Sequence, residues 1–407
     1  MALIHSSYYR PKILSEAGIL ADLNIDRCQG LTASISLNRE KIKEVGRDGT
    51  VGYKSGIPDV TVGVTQLEYG TLDFWKRITS TDSTALTLAN FKTSYFGIAG
   101  YKTDDDSTFL GTVWYPGLRV NGFSFNIGDP EANAERTFDL VGNDEILWLN
   151  DNKYLIHIAD TFASGDTAFT ITSGDYADYP LPIEDPDVSG QFLVKVVRVR
   201  SGVATDLTLT TNYAYNGASG LFTPVAAAVG DVYHLFYSAG SYISTSGSTP
   251  FTANDVDAAS IPAENVSIYL TASDYVYRLQ SVAVDVSFDR QDVKEIGNTD
   301  VVARGVREST VNITLGRILE AFTIEEILRG EGGNSYGKID AREFATDNKL
   351  IIKIYSDSDK GTFLMGYSFD SMTPTTLDAG TPTSDYITRG VVLEGEDCTI
   401  TDVEGSL

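Results

Sequence analysis

Ser36-Leu-Asn-Arg-Glu-Lys-Ile-Lys-Glu-Val-Gly46 returns later in the chain as Ser287-Phe-Asp-Arg-Gln-Asp-Val-Lys-Glu-Ile-Gly297. Ser36/Ser287, Arg39/Arg290, Lys43/Lys294, Glu44/Glu295 and Gly46/Gly297 are identical, and Ile42/Val293 and Val45/Ile296 are close swaps. Self-similarity of this kind marks a repeated structural unit. Matches continue outward in the same order. Arg27 and Gln29 pair with Arg278 and Gln280, and Val60–Val64 pairs with Val311–Leu315. Thr71–Arg77 then faces Thr323–Arg329, Thr108–Leu110 faces Thr362–Leu364, and Arg136–Gly142 faces Arg389–Gly395. The division expected is an N-terminal arm over 1–17, one copy over 18–150, an unmatched stretch over 151–264 and a second copy over 265–407.

Each copy reads as mainly β. Leu31–Leu37 and Val282–Phe288 alternate apolar and polar residues, the signature of a half-buried antiparallel strand. A Gly-bearing segment of equal length follows in both copies, Glu44–Pro58 and Glu295–Ser309, and is expected to be a long constrained loop. A helix is predicted after the second strand. Thr323-x-x-Glu326 has the form of a capping box, with Ile324, Ile327 and Leu328 on one face and Gly330 as the stop. In the first copy Thr71 is the expected cap and Phe74, Trp75 and Ile78 the buried face. Phe123–Ile127 and Arg136–Val141 close the first copy, and Thr362–Phe369 and Tyr386–Leu393 the second. The fold class expected is a tandem pair of β-sandwich units, each flanked by a short α-helix.

The unmatched stretch is rich in Thr, Ser, Gly, Ala and Asp. Ala168–Thr172, Gln191–Val199, Ala204–Leu209 and Asp231–Tyr237 read as strands, and Tyr213–Phe222 as a hairpin turning at Asn216-Gly217. An inserted, exposed small β module is expected over Thr167–Ser241, with Ser244–Ala263 as the linker back.

The 407 residues include 56 acidic and 31 basic ones, a formal charge of −25. Such a surface repels phosphate, which excludes DNA binding by backbone neutralisation while leaving DNA free to pass. Cys28 and Cys398 are too few for a disulfide framework. The longest apolar runs, such as Phe192–Val197, are too short to span a bilayer, and Met1–Arg10 has no cationic flank before an apolar stretch. Neither membrane insertion nor export is expected.

Motifs for chemistry are sparse. His5, His157 and His234 lie far apart in sequence and none has metal-ligand spacing to a cysteine, so structural roles are expected. Gly46–Ser55 lacks the Gly directly before Lys-Ser that a phosphate-binding loop requires. Asp104–Asp106 and Asp357–Gly361 resemble the start of a calcium loop, but the acidic twelfth position is Ser368, and acidic hairpin turns are the expectation. Asn265-Val-Ser267 and Asn312-Ile-Thr314 match glycosylation sequons that carry no weight without export. No nucleophile with a base in motif spacing is present, and no enzyme activity, cofactor or metal is expected.

The order strand, long segment, strand, helix in Leu31–Ile78 and again in Val282–Gly330, with the closing strands after it, resembles the tail tube proteins of long-tailed bacteriophages and archaeal tailed viruses. More narrowly it resembles the subset carrying a duplicated tube domain. That resemblance implies homotrimeric rings that imitate hexamers, stacked into a tube in the virion tail, made in the host cytoplasm and conducting DNA through an acidic lumen during ejection. It implies self-association and contact with terminator, tape-measure and baseplate or tip proteins. Inter-ring contacts are then expected from Glu44, Gly46, Arg47, Asp48, Lys54, Glu295, Gly297, Arg304, Arg307 and Glu308. Arg39, Lys43, Arg290 and Lys294 are expected to be equivalent structural positions. The exterior module points to a non-contractile tail. Alternatives are another virion component (tail terminator, baseplate hub or capsid decoration) and a cell-surface or glycan-binding β adhesin.

Overall fold

The structure is a computed structural model; it describes residues 9–16, 22–43, 50–54, 56–93, 96–103, 109–149, 154–171, 178–201, 203–240, 260–270, 274–276, 278–294, 301–319, 323–328, 344–345, 347–380 and 387–407. The chain is mainly β, as its alternating patterns predict. Its first part contains β1 (Tyr9–Ser15), β2 (Leu23–Asn24), β3 (Cys28–Ser36), β4 (Glu40–Ile42), β5 (Gly52–Lys54) and β6 (Asp59–Leu67). Then follow α1 (Asp73–Thr79), β7 (Ala85–Thr87), α2 (Leu88–Thr93), β8 (Phe96–Thr103), β9 (Phe109–Ile127), β10 (Glu135–Gly142) and β11 (Ile146–Leu149).

The middle part holds β12 (Tyr154–Thr161), β13 (Phe169–Thr170), β14 (Leu193–Arg200), β15 (Val203–Asp206), β16 (Tyr213–Asn216), β17 (Leu221–Pro224) and β18 (Val232–Ala239). The last part holds β19 (Val266–Leu270), β20 (Asp274–Tyr275), β21 (Leu279–Lys294), β22 (Val301–Ile318), α3 (Thr323–Leu328), β23 (Asn348–Tyr355), β24 (Phe363–Gly380), β25 (Thr388–Gly395) and β26 (Thr399–Thr401).

One antiparallel sheet runs β3-β6-β10-β9-β21-β22-β25-β24. Behind it lie β2-β1-β8-β9-β11 and β20-β19-β23-β24-β26-β7. The long strands β9 and β24 bend to serve two layers each, the way strands turn corners in sandwiches. Gly117 in β9 (φ 66°) and Ser371 in β24 (φ 57°) adopt the left-handed backbone near those bends.

The core fills the space between the layers. Val60, Val62 and Val64 of β6 and Val311, Ile313 and Leu315 of β22 are buried at alternate positions. Trp75 of α1 is fully buried and meets Phe91, Phe123, Phe138 and Tyr367 edge-on at centroid distances of 5.9, 5.1, 4.9 and 6.0 Å. Tyr367 belongs to β24, so both ends of the chain share this core. Phe74, Trp75 and Ile78 form the buried helix face that the sequence predicts. The N-cap of α1 is Leu72 and makes no side-chain bond, which corrects the expected Thr71 cap. Ile324 and Leu328 are buried on α3 as expected.

Residues 44–49, 55 and 295–300 of the two expected long loops lie outside the described residues, and the described remainder includes strand pairing, in two arms, that the sequence does not predict. In the first, β4 pairs with β5 through Glu40↔Lys54 and Ile42↔Gly52. In the second, the β21–β22 ladder continues to Lys294↔Val301. Both arms break register at the same relative place. Asn38 takes φ 45° between β3 and β4, and the β21 ladder shifts between Asp289 and Arg290.

The middle module begins at β12, earlier than the expected Thr167. It comprises a sheet β12-β18-β14-β15 and a smaller one β13-β17-β16, around a core that includes Phe162, Phe222, Tyr233 and Leu235. The Tyr213–Phe222 hairpin is present, but its turn spans residues 217–220. Asn216 Oδ1 accepts from the Ala218 and Ser219 N–H groups, and Gly220 sits at φ 70°. The module is less exposed than expected, because Leu155, Val197 and Phe236 pack on Leu14, Ala99 and Trp114 of the first part.

Candidate assembly interface

The central sheet contains a seam and two open edges. At the seam, β9 and β21 pair through Ile127↔Val282, Phe125↔Val284 and Phe123↔Val286, and all six side chains are buried. The strands on either side repeat one order, β3-β6-β10-β9 and β21-β22-β25-β24. Their details also run alike. Arg27 (φ 52°) and Arg278 (φ 59°) each accept, at the carbonyl, an N–H from the strand alongside, Leu67 and Ile318, both at 3.1 Å. The β10–β9 ladder shifts between Asp139 and Leu140, and the β24–β25 ladder between Pro374 and Thr376.

The open edges are β3 and the 373–380 half of β24. Among the described residues each pairs with one strand only, β6 and β25 respectively. Ile35 is 36% exposed and Leu37 50%, whereas Val286 and Phe288 at matching places on β21 are each 3% exposed. An open edge with apolar side chains is a template for another strand.

Arg290 braces the seam. Its Nε donates to the Val120 carbonyl, its Nη2 to that of Phe91 at 2.7 Å and its Nη1 to that of Lys92 at 3.3 Å. The latter two carbonyls end α2, where intrahelical donors have run out. Phe288 stacks on Phe91 beside it at 6.2 Å. The sequence marks Arg290 through its identity with Arg39, but nothing in the sequence shows what it grips.

Of the expected inter-ring residues, Glu44, Gly46, Arg47, Asp48, Glu295 and Gly297 lie outside the described residues. Lys54 is exposed on β5, Arg307 and Glu308 are exposed on β22, and Arg304 lies on β22 opposite Asp292. Arg39 and Lys43 are exposed beside β4, and Lys294 ends the β21 ladder. The structure thus puts the described members on the two arms.

Two buried charge clusters stiffen the sheet, and sequence reading missed both. Arg136 of β10 is fully buried, reaches Glu68 at 3.2 Å and Gln66 at 3.0 Å, and lies 4.8 Å from the Tyr69 ring centroid. Tyr367 of β24 donates to the same Glu68 at 3.2 Å. Burial opposes the charge on Arg136 most strongly, but Glu68, Tyr69 and Tyr367 together outweigh it and raise the pKa. Arg389, which matches Arg136 in sequence, pairs with Glu325 of α3 at 2.8 Å, and Arg317 joins it at 2.7 Å. Opposite the core, Asp285 of β21 has its pKa raised by desolvation and by Asp139 of β10. On that face of the seam Asp285 and Asp139 are therefore near enough to repel.

The middle module is moored by ions. Lys195 of β14 contacts the fully buried Glu16 at 2.6 Å, and Trp114 stacks on Phe236 at 4.8 Å. His157 contacts Asp22 through Nδ1 at 2.7 Å and His234 through Nε2 at 3.1 Å. The two histidines, separate in sequence, therefore meet, because β12 and β18 are paired strands. Among the described residues no group of His, Cys, Asp or Glu has metal-binding geometry. Asp357 closes an acidic hairpin turn as expected, accepting the Gly361 N–H at 3.0 Å, while Asp104–Asp106 lies outside the described residues. No described helix is long and apolar enough to cross a membrane.

No protein-family model and no curated protein matches the chain. Among solved structures it is similar to the tube-terminating cap of the anti-feeding prophage, at 14% identity and a TM-score of 0.28, over 35% of this chain and 91% of that one. It is also similar to a chain of the extended sheath-tube complex of an extracellular contractile injection system (PVC), at 16% identity and a TM-score of 0.28, over 37% of this chain and 99% of that one.

Proposed function

We propose that this chain is a structural protein of a virion tail, in which two copies of one tube domain stand side by side and three chains close a ring. The observation that carries this reading is the β9–β21 seam. It joins two like-ordered sets of strands edge to edge and leaves one edge of each kind open. Repeating such a joint head to tail removes every edge when the rotation closes. A sixfold arrangement of units needs three chains that each carry two. The apolar layer faces the sandwich interior, so the polar face bearing Asp139 and Asp285 lines the lumen. With a net charge of −25, that lumen repels phosphate and lets DNA slide during ejection. The two arms reach out of the sheet toward the next ring and set the stacking. No catalysis enters this role.

Electron microscopy of the purified chain across a concentration series tests it. Stacked rings with an open channel are expected. Monomers alone at the highest concentration would overturn the reading.

A further inference from the structure

We infer, resting on the ring reading above, that Arg39 is the clasp between successive chains and that β3 joins β24 of the next copy in one defined register. The chain carries its own template for this joint. At the seam Arg290 leaves β21 at the register shift and binds the Val120 carbonyl beside the shift in β9. Arg39 occupies the corresponding place after β3, where it is exposed. The residue that corresponds to Val120 is Pro374. Val120 lies opposite Leu140 and Pro374 opposite Leu393, each at the shift in its ladder. A proline carbonyl keeps its acceptor capacity, and proline is tolerated on an edge strand because it has no N–H to lose.

The register follows from the same template. Val284↔Phe125 and Val286↔Phe123 become Ala33↔Ala379 and Ile35↔Leu377 in the new joint. Leu377 already packs on the edge of the core, and Ile35 is 36% exposed, so pairing them completes an apolar layer left unfinished. On the polar face Asp285↔Ser124 becomes Ser34↔Asp378. Each joint then sets one aspartate against one serine and avoids facing like charges. Ala33 and Ala379 fill less space than Val284 and Phe125, which leaves more of the hold on this joint to Arg39.

Cross-linking and assembly measurements test the register and the clasp separately. Opposed strand residues stand at Cα distances a disulfide spans. In a Cys28→Ser background, Ala33→Cys with Ala379→Cys should cross-link chains under mild oxidation, whereas Ala33→Cys with Leu377→Cys should not. Arg39→Ala should raise the concentration needed for ring assembly at least tenfold and leave the monomer melting temperature unchanged. Rings whose cross-links favour the Ala33–Leu377 pair would overturn the register with the ring reading intact. Unchanged assembly of Arg39→Ala would overturn the clasp. Failure of the unmodified chain to form rings would overturn the ring reading and this inference together.

Discussion

Val284 of β21 lies directly opposite Phe125 of β9, and neither side chain is more than 1% exposed. This pair joins two strands far apart in sequence and fuses the two sets of four into one sheet. The matching position on the open edge, Ala33, faces solvent. Val284→Asp should therefore destabilise the monomer by about 3 kcal/mol or more, since it buries an unpaired charge. Ala33→Asp should shift monomer stability by no more than about 0.5 kcal/mol, the range of a surface change, yet block assembly. Denaturant melts and light scattering on the two variants check the contrast.

The Arg136–Glu68 pair is buried at both ends, with each side chain at 0% exposure. Removing one partner strands the other charge, so Arg136→Ala should cost about 3–5 kcal/mol in equilibrium unfolding. Tyr367→Phe removes only one neutral donor to Glu68 and should cost about 1–3 kcal/mol. Equal costs for the two variants would contradict the primacy of the Arg136–Glu68 ion pair in this cluster.

Much of this fold was legible in the sequence because burial imposes a period. Val60–Val64 and Val311–Leu315 alternate since each strand has one face in the core, and the structure places them in β6 and β22. Trp75 was legible for the same reason on a helix. The arms were not, because Ile42, Val51, Tyr53 and Val293 stay exposed, and without a buried face no period marks the strands among the glycines and charges. The His157–His234 contact, the grip of Arg290 and the Lys195–Glu16 mooring depend on pairing between distant segments, which no local spacing encodes. The repeat was the exception. It makes Arg39 and Arg290 comparable from the sequence alone, before the structure shows what Arg290 holds.

Acid should loosen the middle module first. Asp231 is held down at about 2, chiefly by its hydrogen bonds to Arg200, which it meets at 2.6 Å and 2.7 Å. Its folded pKa lies below the ordinary carboxylate value, so the contribution is complete above about pH 4 and is lost as pH falls toward 2. Asp231→Asn should flatten this acid limb. Fluorescence melts of the wild type and variant from pH 5 to pH 2 provide the comparison.

Lys195 is the only cation within ion-pair distance of the fully buried Glu16 among the described residues. Burial raises the Glu16 pKa, and Lys195 works against that rise. Lys195→Met should push Glu16 further up, undock the module and speed hydrogen exchange in β14 without unfolding the central sheet. Exchange in β14 unchanged from the wild type would show that the Trp114–Phe236 stack suffices to moor it.

The closing of a ring by three chains is tested most directly by measuring particle mass in solution as assembly begins. Mass photometry should show monomers of 44.1 kDa giving way to a species of three times that mass, with no stable dimer between them. Six-chain particles that appear without a three-chain species before them, or an end state of dimers, would contradict the account.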